Sequence, residues 1–296
     1  MPKNNNIEHE PMYVSPKWDE PGNLVFVDHL DAINVKIVHA PSVEEVKNMV
    51  GVFMTNTWND RLNYGPFDSI DKVLKELFAG NILPTGMEIV NLTFTIEGMD
   101  MIDTTHLIRH RMFSFSAQTQ ADRDMRNDRI LVSPQIAESD FLDEYLDICQ
   151  KAHDLYMKMV DCKQIDMLEA RTIMPAAYEK FYICRGTIKD VIAYCNLRCD
   201  EQIQPWSDVI IAMKLWFEVV KIYPFLKNLI DFTAPDWFYV KQCSNGKTNI
   251  FPPLPKNDTF EWSESQFLYD KPRSEFLGYE QYEALRQSII ADILNV

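Results

Sequence analysis

The chain holds 296 residues, 46% of them hydrophobic and 25% charged, which is enough length and apolar material for a full globular core. A formal net charge of −15 argues against duplex DNA or RNA as a partner, since those need a basic footprint. A lone nucleotide stays compatible, because its phosphate requires only a local group of Arg or Lys.

Residues 1 to about 28 are rich in Asn, Glu and Pro and read as an extended arm with no signal-peptide core. No apolar run reaches the roughly 18 residues of a membrane span, so a cytoplasmic protein is expected. Asn34–His39 reads as a short strand ended by Ala40-Pro41. Ser42, with Glu45 three residues on, forms the pattern of a capping box that opens a helix to about Asn56. A second helix is expected over Ser69–Phe78, before Gly80 and Asn81. Met87–Ile96 is the strongest strand candidate, carrying Ile89, Val90, Leu92, Phe94 and Ile96.

Met99–Arg111 then reads as a helix whose end carries Arg109-His110-Arg111. Cations there complement the helix dipole, yet successive helical residues point about 100° apart. At least one of the three must turn inward or face a neighbouring subunit, where it needs an anionic or strongly accepting partner. The charged loop 122–128 lacks the glycine and terminal Glu of a calcium loop. Helices are expected at about 138–162 and 165–172, a strand at Tyr178–Cys184, and helices with apolar stripes at Thr187–Cys199 and Asp208–Ile222. Beyond Pro224 the chain is aromatic and proline-punctuated, and it ends in a helix near Tyr279–Leu294. A few strands among many helices, with no internal repeat, give an α+β domain.

Nine glycines leave no phosphate-cradling loop, and no Gly-x-Ser-x-Gly elbow is present. His106 and His110 share a helix face, but without a third ligand no metal is expected. Cys195 and Cys199 lie one helical turn apart with no second pair, so the six cysteines read as reduced and mostly buried. Ser114, Ser116 and Thr119 read as backbone-capping hydroxyls rather than nucleophiles. Taken alone, Arg171 reads as a surface ion-pairing residue. Arg198 follows Tyr194, Cys195 and Leu197 on a largely apolar helix and is expected to be buried near a site.

Arg109-His110-Arg111, Ser114 and Thr119 resemble the Arg-His-Arg-x-x-Ser-x-x-x-x-Ser-x-Arg-Tyr stretch of the flavin-dependent thymidylate synthases. Glu169-Ala170-Arg171-Thr172-Ile173-Met174-Pro175 resembles that family's Ala-Arg-x-x-Leu-Pro, and Thr187–Arg198 its Asn-x-Arg-Ser-Leu-x-Asn-Phe-x-x-Leu-Arg. Gln204 falls at the spacing of its Ala-Gln-Trp-Glu. The resemblance covers about 33–225, leaving 1–32 as an N-terminal extension and 226–296 as a C-terminal one that packs on the domain or a neighbouring subunit.

The resemblance implies a central twisted, mostly antiparallel sheet flanked by helices, assembled as a homotetramer with sites between subunits. The aromatic residues Trp237, Phe238, Tyr239, Phe251 and Trp262 would then line a neighbour's site. It also implies FAD, NADPH as reductant and methylenetetrahydrofolate as one-carbon donor, with no covalent nucleophile. By position Arg198 would polarise a pyrimidine ring, a role suited to a fixed guanidinium. His106, Arg109, Gln118, Thr119, Arg171 and Arg198 would hold the nucleotide. Asn91, Arg109, His110, Arg111, Thr187 and Lys189 would hold FAD.

The departures fall on the substrate side. Ala117 and Ala121 stand where the family has Glu and a phosphate-gripping Arg, His106 where it has Gln, and Glu88-Ile89 where it has Glu-His. Thr187, Lys189 and Ala193 replace Asn, Arg and Asn. A lost charge-assisted contact costs ~1.5–3 kcal/mol, or about one to two decades in affinity, with Arg123 or Arg126 as replacements. The expected activity is transfer of a methyl or hydroxymethyl group to ring carbon 5 of dUMP or dCMP. The alternatives are ordinary dUMP-to-dTMP synthesis and a catalytically inactive nucleotide-binding scaffold.

Overall fold

A computed structural model describes residues 24–58, 84–117, 124–199, 204–227, 229–230 and 273–296. Four antiparallel strands form the main sheet in the order β2 (Asn34–His39), β3 (Asn91–Met99), β6 (Lys180–Thr187) and β4 (Ser114–Ala117). The α+β class and the antiparallel sheet are as expected. On β3 the strict alternation places Leu92, Phe94 and Ile96 in the core and Thr93, Thr95 and Glu97 on the opposite face. A second, two-stranded parallel sheet joins β1 (Val25–Asp28), which runs into the short helix α1 (His29–Ala32), to β5 (Arg129–Val132).

Helices cover the core face of the main sheet. The helix α2 (Val43–Trp58) opens with the expected Ser42–Glu45 box, Ser42 N–H donating to Glu45 Oε2 at 2.7 Å and Glu45 N–H to Ser42 Oγ at 3.2 Å. The helix α3 (Met101–Leu107) follows β3, and α4 (Pro134–Ala137), α5 (Leu142–Asp161) and α6 (Met167–Ala170) follow β5. The helices α7 (Ile188–Arg198) and α8 (Trp206–Ile222) lie over the sheet, and α9 (Tyr279–Asn295) packs on α8. Residues Trp206–Met213 are all buried, so α8 is apolar nearly all round because the sheet lies on one side and α9 on the other. A smaller core of Met125, Ile130, Cys149, Tyr156, Val160, Ala170 and Tyr178 sits under α5.

Several boundaries differ from the sequence expectations. The strand β3 starts at Asn91, not Met87, because Pro84–Met87 winds into a 3-10 turn and carries Glu88 and Ile89 past the ladder. The helix expected over Met99–Arg111 is only Met101–Leu107. Gly98 breaks the chain at φ +75°, and Asp100 caps the new helix through Ile102 and Asp103 N–H. At the far end Phe113 must reach the core, so the chain turns after Leu107 and leaves Arg109-His110-Arg111 in tight turns. Gly186 makes room for that ring, since a Cβ there would stand 2.3 Å from Phe113 Cδ1. The strands β1, β4 and β5 were not expected. The helix expected over Ser69–Phe78 and the aromatic stretch from Trp237 to Trp262 lie outside the described residues.

Gly98 permits one clear prediction. A Cβ at that position would stand 2.3 Å from Ala32 O, in a backbone conformation that L-residues avoid. Gly98→Ala is expected to lose about 1–2 kcal/mol from the left-handed backbone alone, with the backbone clash adding to it. Urea unfolding reads this, and an unchanged midpoint would contradict it.

Candidate active site

The helix α7 delivers Arg198 to the interior. Thr187 starts the helix with a reciprocal box, its Oγ1 accepting from Asp190 N–H while Asp190 Oδ2 accepts from Thr187 N–H. Arg198 closes the last turn only 6% exposed. Three acceptors hold its guanidinium: His110 Nε2 takes Nε–H at 3.0 Å, Gln204 Oε1 takes Nη1 at 2.7 Å and the His106 carbonyl takes Nη2 at 2.9 Å. A guanidinium has five N–H groups, so one hydrogen on each terminal nitrogen has no partner among the described residues. The sequence had linked Arg198, His110 and Gln204 only by spacing; the fold brings them into contact.

His110 can accept from Arg198 only as a neutral ring. Burial, and then the Arg198 charge, push its pKa down to about 4, which keeps that lone pair available. Its ring lies edge-on to Tyr194 at 4.8 Å between centroids. Beside it His106 Nδ1 meets Asp208 Oδ2 at 2.5 Å. Asp208 is 1% exposed and also lies 3.7 Å from Arg198 Nη1. Burial, with the neighbouring Asp103 charge, raises Asp208 to about 8 against the pull of Arg198. His106 is lowered by burial and by the charges of Arg198 and Arg109. The two shifts run in one sense: burial favours a neutral contact between these side chains over an ion pair.

A second network lies behind the first. Asp103 Oδ1 accepts from Ser207 Oγ at 2.5 Å, and Asp103 Oδ2 lies 2.9 Å from His29 Nε2. Burial opposes a charged His29 ring, but the Asp103 bond and the charges of Asp103, Asp100 and Asp28 outweigh it and raise the pKa. His29, Asp100 and Asp103 also stand within 4.8 Å of one another. A cavity of about 350 Å³ opens on this side, lined by His29, Asp100, Trp206, Ser207 and Arg273, whereas Arg198 does not line it.

The other expected site residues fall into groups. Arg109 and Arg111 are exposed in the turns beyond α3, with no ion pair among the described residues. Asn91 and Thr187 face each other where β3 meets β6, and Lys189 Nζ reaches Glu88 Oε1 at 2.5 Å nearby. Arg171 starts a 3-10 turn beside the smaller core and makes no described contact with Arg198. Gln118, Thr119, Ala121 and Arg123 lie outside the described residues. Arg126 does not stand free as a replacement phosphate grip: it is buried and bonded to Asp124 and, at 3.0 Å, to Asp161.

Asp208, Asp103, Ser207 and His29 went unread in the sequence. An acid in the first turn of a helix is ordinarily a dipole complement, and Asp208 carried that disguise. The available signal was its place in Trp206-Ser207-Asp208-Val209-Ile210-Ile211, where solvent is hard to reach.

The α+β fold and a buried guanidinium held from three sides are the features to set beside known proteins. The chain belongs to the family described as Thymidylate synthase complementing protein, Thy1, whose model matches residues 39–225. It is 26% identical over 197 residues to the flavin-dependent thymidylate synthase of Clostridium tetani, covering 60% of this chain and 74% of that one. It is 28% identical over 132 residues to that of Geobacter sulfurreducens, covering 44% of this chain and little more than half, 56%, of the relative. A solved UMP/dUMP methylase PolB from Streptomyces cacaoi, bound with 5-Br dUMP, shares the fold at a TM-score of 0.55 and 14% identity. That match covers 67% of this chain and 93% of the other.

Proposed function

We propose that the chain transfers a one-carbon unit, methyl or hydroxymethyl, from methylenetetrahydrofolate to ring carbon 5 of a pyrimidine deoxynucleoside monophosphate, dUMP or dCMP. FAD is the proposed cofactor and NADPH the reductant. Family membership and the flavin-dependent relatives support this reading. The single observation that carries it is Arg198, buried and fixed from three sides with two N–H groups to spare. A guanidinium so fixed stabilises negative charge as it develops on a pyrimidine carbonyl, and needs no reorganisation to do so.

The residues present fit a dinucleotide. Arg109 and Arg111 are exposed cations that suit its phosphates, and Asn91, Thr187 and Lys189 offer polar groups at the β3–β6 end. FAD, when bound, would supply the two electrons that a methyl product requires; a hydroxymethyl product requires water and no net reduction. His110 acts through Arg198 by holding its Nε. Arg171 lies beside the other core, so in the proposed homotetramer it would serve a site shared with a neighbouring subunit. Among the described residues no helix is long and apolar enough to cross a membrane.

The reduced protein should be incubated with the folate donor and each pyrimidine mononucleotide, and the products weighed by mass spectrometry. A gain of one carbon on dUMP or dCMP, from a yellow preparation, is the expected result. A colourless protein that takes up no flavin on titration would point to the scaffold instead. No mass change with any nucleotide despite bound FAD would remove the catalytic reading.

A further inference from the structure

Substitution at ring carbon 5 has a requirement that Arg198 does not meet. A hydrogen must leave that carbon as a proton, and an arginine, always charged, cannot accept it. We propose that His106, held by Asp208, accepts this proton at Nε2. The proposal rests on the C5 transfer described above. In the step, the C5–H bond breaks and its electron pair stays in the ring to restore the C5–C6 double bond. The proton goes to His106 Nε2, while Nδ1 keeps its bond to Asp208.

Three observations support the assignment. His106 Nδ1 is anchored 2.5 Å from Asp208 Oδ2, which fixes the ring's orientation. Nε2 on the opposite edge makes no hydrogen bond among the described residues, and the side chain is 23% exposed against 1% for Asp208. The Arg198 guanidinium is bonded to the carbonyl of His106 itself, so base and guanidinium form one rigid unit drawn from α3, α7 and α8. A buried carboxylic group behind an imidazole whose far nitrogen is accessible is the geometry of an oriented general base.

The surrounding charges set the working range. His106 faces Asp208 on α8, Arg198 on α7, Asp103 on its own α3 and Arg109 in the turn beyond. Asp208 faces Asp103, Asp100, His29 and Arg198. Burial and the two arginines disfavour an imidazolium, while burial raises Asp208 to about 8. Below that pH Asp208 keeps its proton and donates to Nδ1, which forces the ring hydrogen onto Nε2. Above it Asp208 is ionised and accepts from Nδ1–H, which leaves the Nε2 lone pair free. The two groups titrate as a pair, and the basic form appears near pH 8.

The test follows loss of deuterium from a C5-deuterated nucleotide that the wild-type enzyme turns over, as a function of pH. The rate is expected to rise about tenfold per pH unit up to an inflection near 8. Asp208→Asn should move that inflection below 6.5, the ordinary histidine value, since the two arginines then act without the acid. His106→Gln should remove the inflection and slow C5 hydrogen loss by about 10²–10⁴-fold at saturating nucleotide. Deuterium loss from His106→Gln as fast as from wild type, with the same inflection, would overturn the role of the pair and leave the transfer reading standing. A wild-type rate that stays flat between about pH 6 and 9 would overturn it without any variant. Wild-type protein that binds no pyrimidine nucleotide would overturn both readings.

Discussion

Arg198→Lys is expected to lower turnover by about 10²–10³-fold while the protein stays folded, the loss typical of removing one preorganised donor from charge developing in a transition state. The three bonds of Arg198 run in three directions, to His110, Gln204 and the His106 carbonyl. A lysine ammonium is a single point and cannot occupy all three while still offering two hydrogens to a ligand. Lysine keeps a positive charge near Asp208, so the buried carboxyl is not abandoned. Arg198→Ala is the poorer experiment. It leaves Gln204 and a buried carbonyl without their donor, at about 1–3 kcal/mol for each unpaired group, which confuses folding with chemistry. Turnover and thermal midpoint measured together separate the two. An Arg198→Lys enzyme within about threefold of wild type, at an unchanged midpoint, would remove Arg198 from the reaction.

The parts of this fold legible in the sequence are those where local pattern and tertiary demand coincide. The Ser42–Glu45 box, the alternation of Leu92, Phe94 and Ile96, and the helix from Ile188 carry their own periodicity and caps, and each forms close to where it was expected. The region from Met99 to Ala117 does not. Its helix ends at Leu107 because Phe113 must pack over Gly186, a demand set by a strand some seventy residues further along the chain. The short strand Ser114–Ala117 looked like a loop because only Phe115 points inward, and its pairing with β6 supplies what its composition lacks. The site shows the same division. Arg198 was readable because a cation on an apolar helix is an anomaly. Asp208 and His29 were not, because each becomes notable only through a partner 102 or 74 residues distant.

Stability should fall as pH rises from 6.5 to 8. Native Asp208 holds its proton to about pH 8, whereas the unfolded chain releases it near 3.8. The native state therefore binds the extra proton across that window, and stability falls as pH rises through it, by about 1.4 kcal/mol per pH unit for a full proton. His29, raised above 6.5, acts in the same direction: its contribution is complete below 6.5 and is lost as pH rises through the native value. Three groups oppose these on the acid side. His106, His110 and His153 are all lowered in the native state, His110 to about 4, so the unfolded chain takes up protons below 6.5 that the native state refuses. These histidines lower stability as pH falls below 6.5, while Asp208 and the raised Asp100 act in the opposite direction there. Above 6.5 the histidines are neutral in both states, and Asp208 and His29 remain. Between pH 6.5 and 8 Asp208 alone should remove about 2 kcal/mol. Asp208→Asn keeps the shape and, through Oδ1, an acceptor for His106 Nδ1–H, but has no proton to lose. Its urea midpoint should accordingly decline less over that interval, with the remaining slope coming from His29. A wild-type midpoint that rises from pH 6.5 to 8, or an Asp208→Asn midpoint that falls as steeply as wild type, would show that Asp208 is ionised in the native protein at neutral pH.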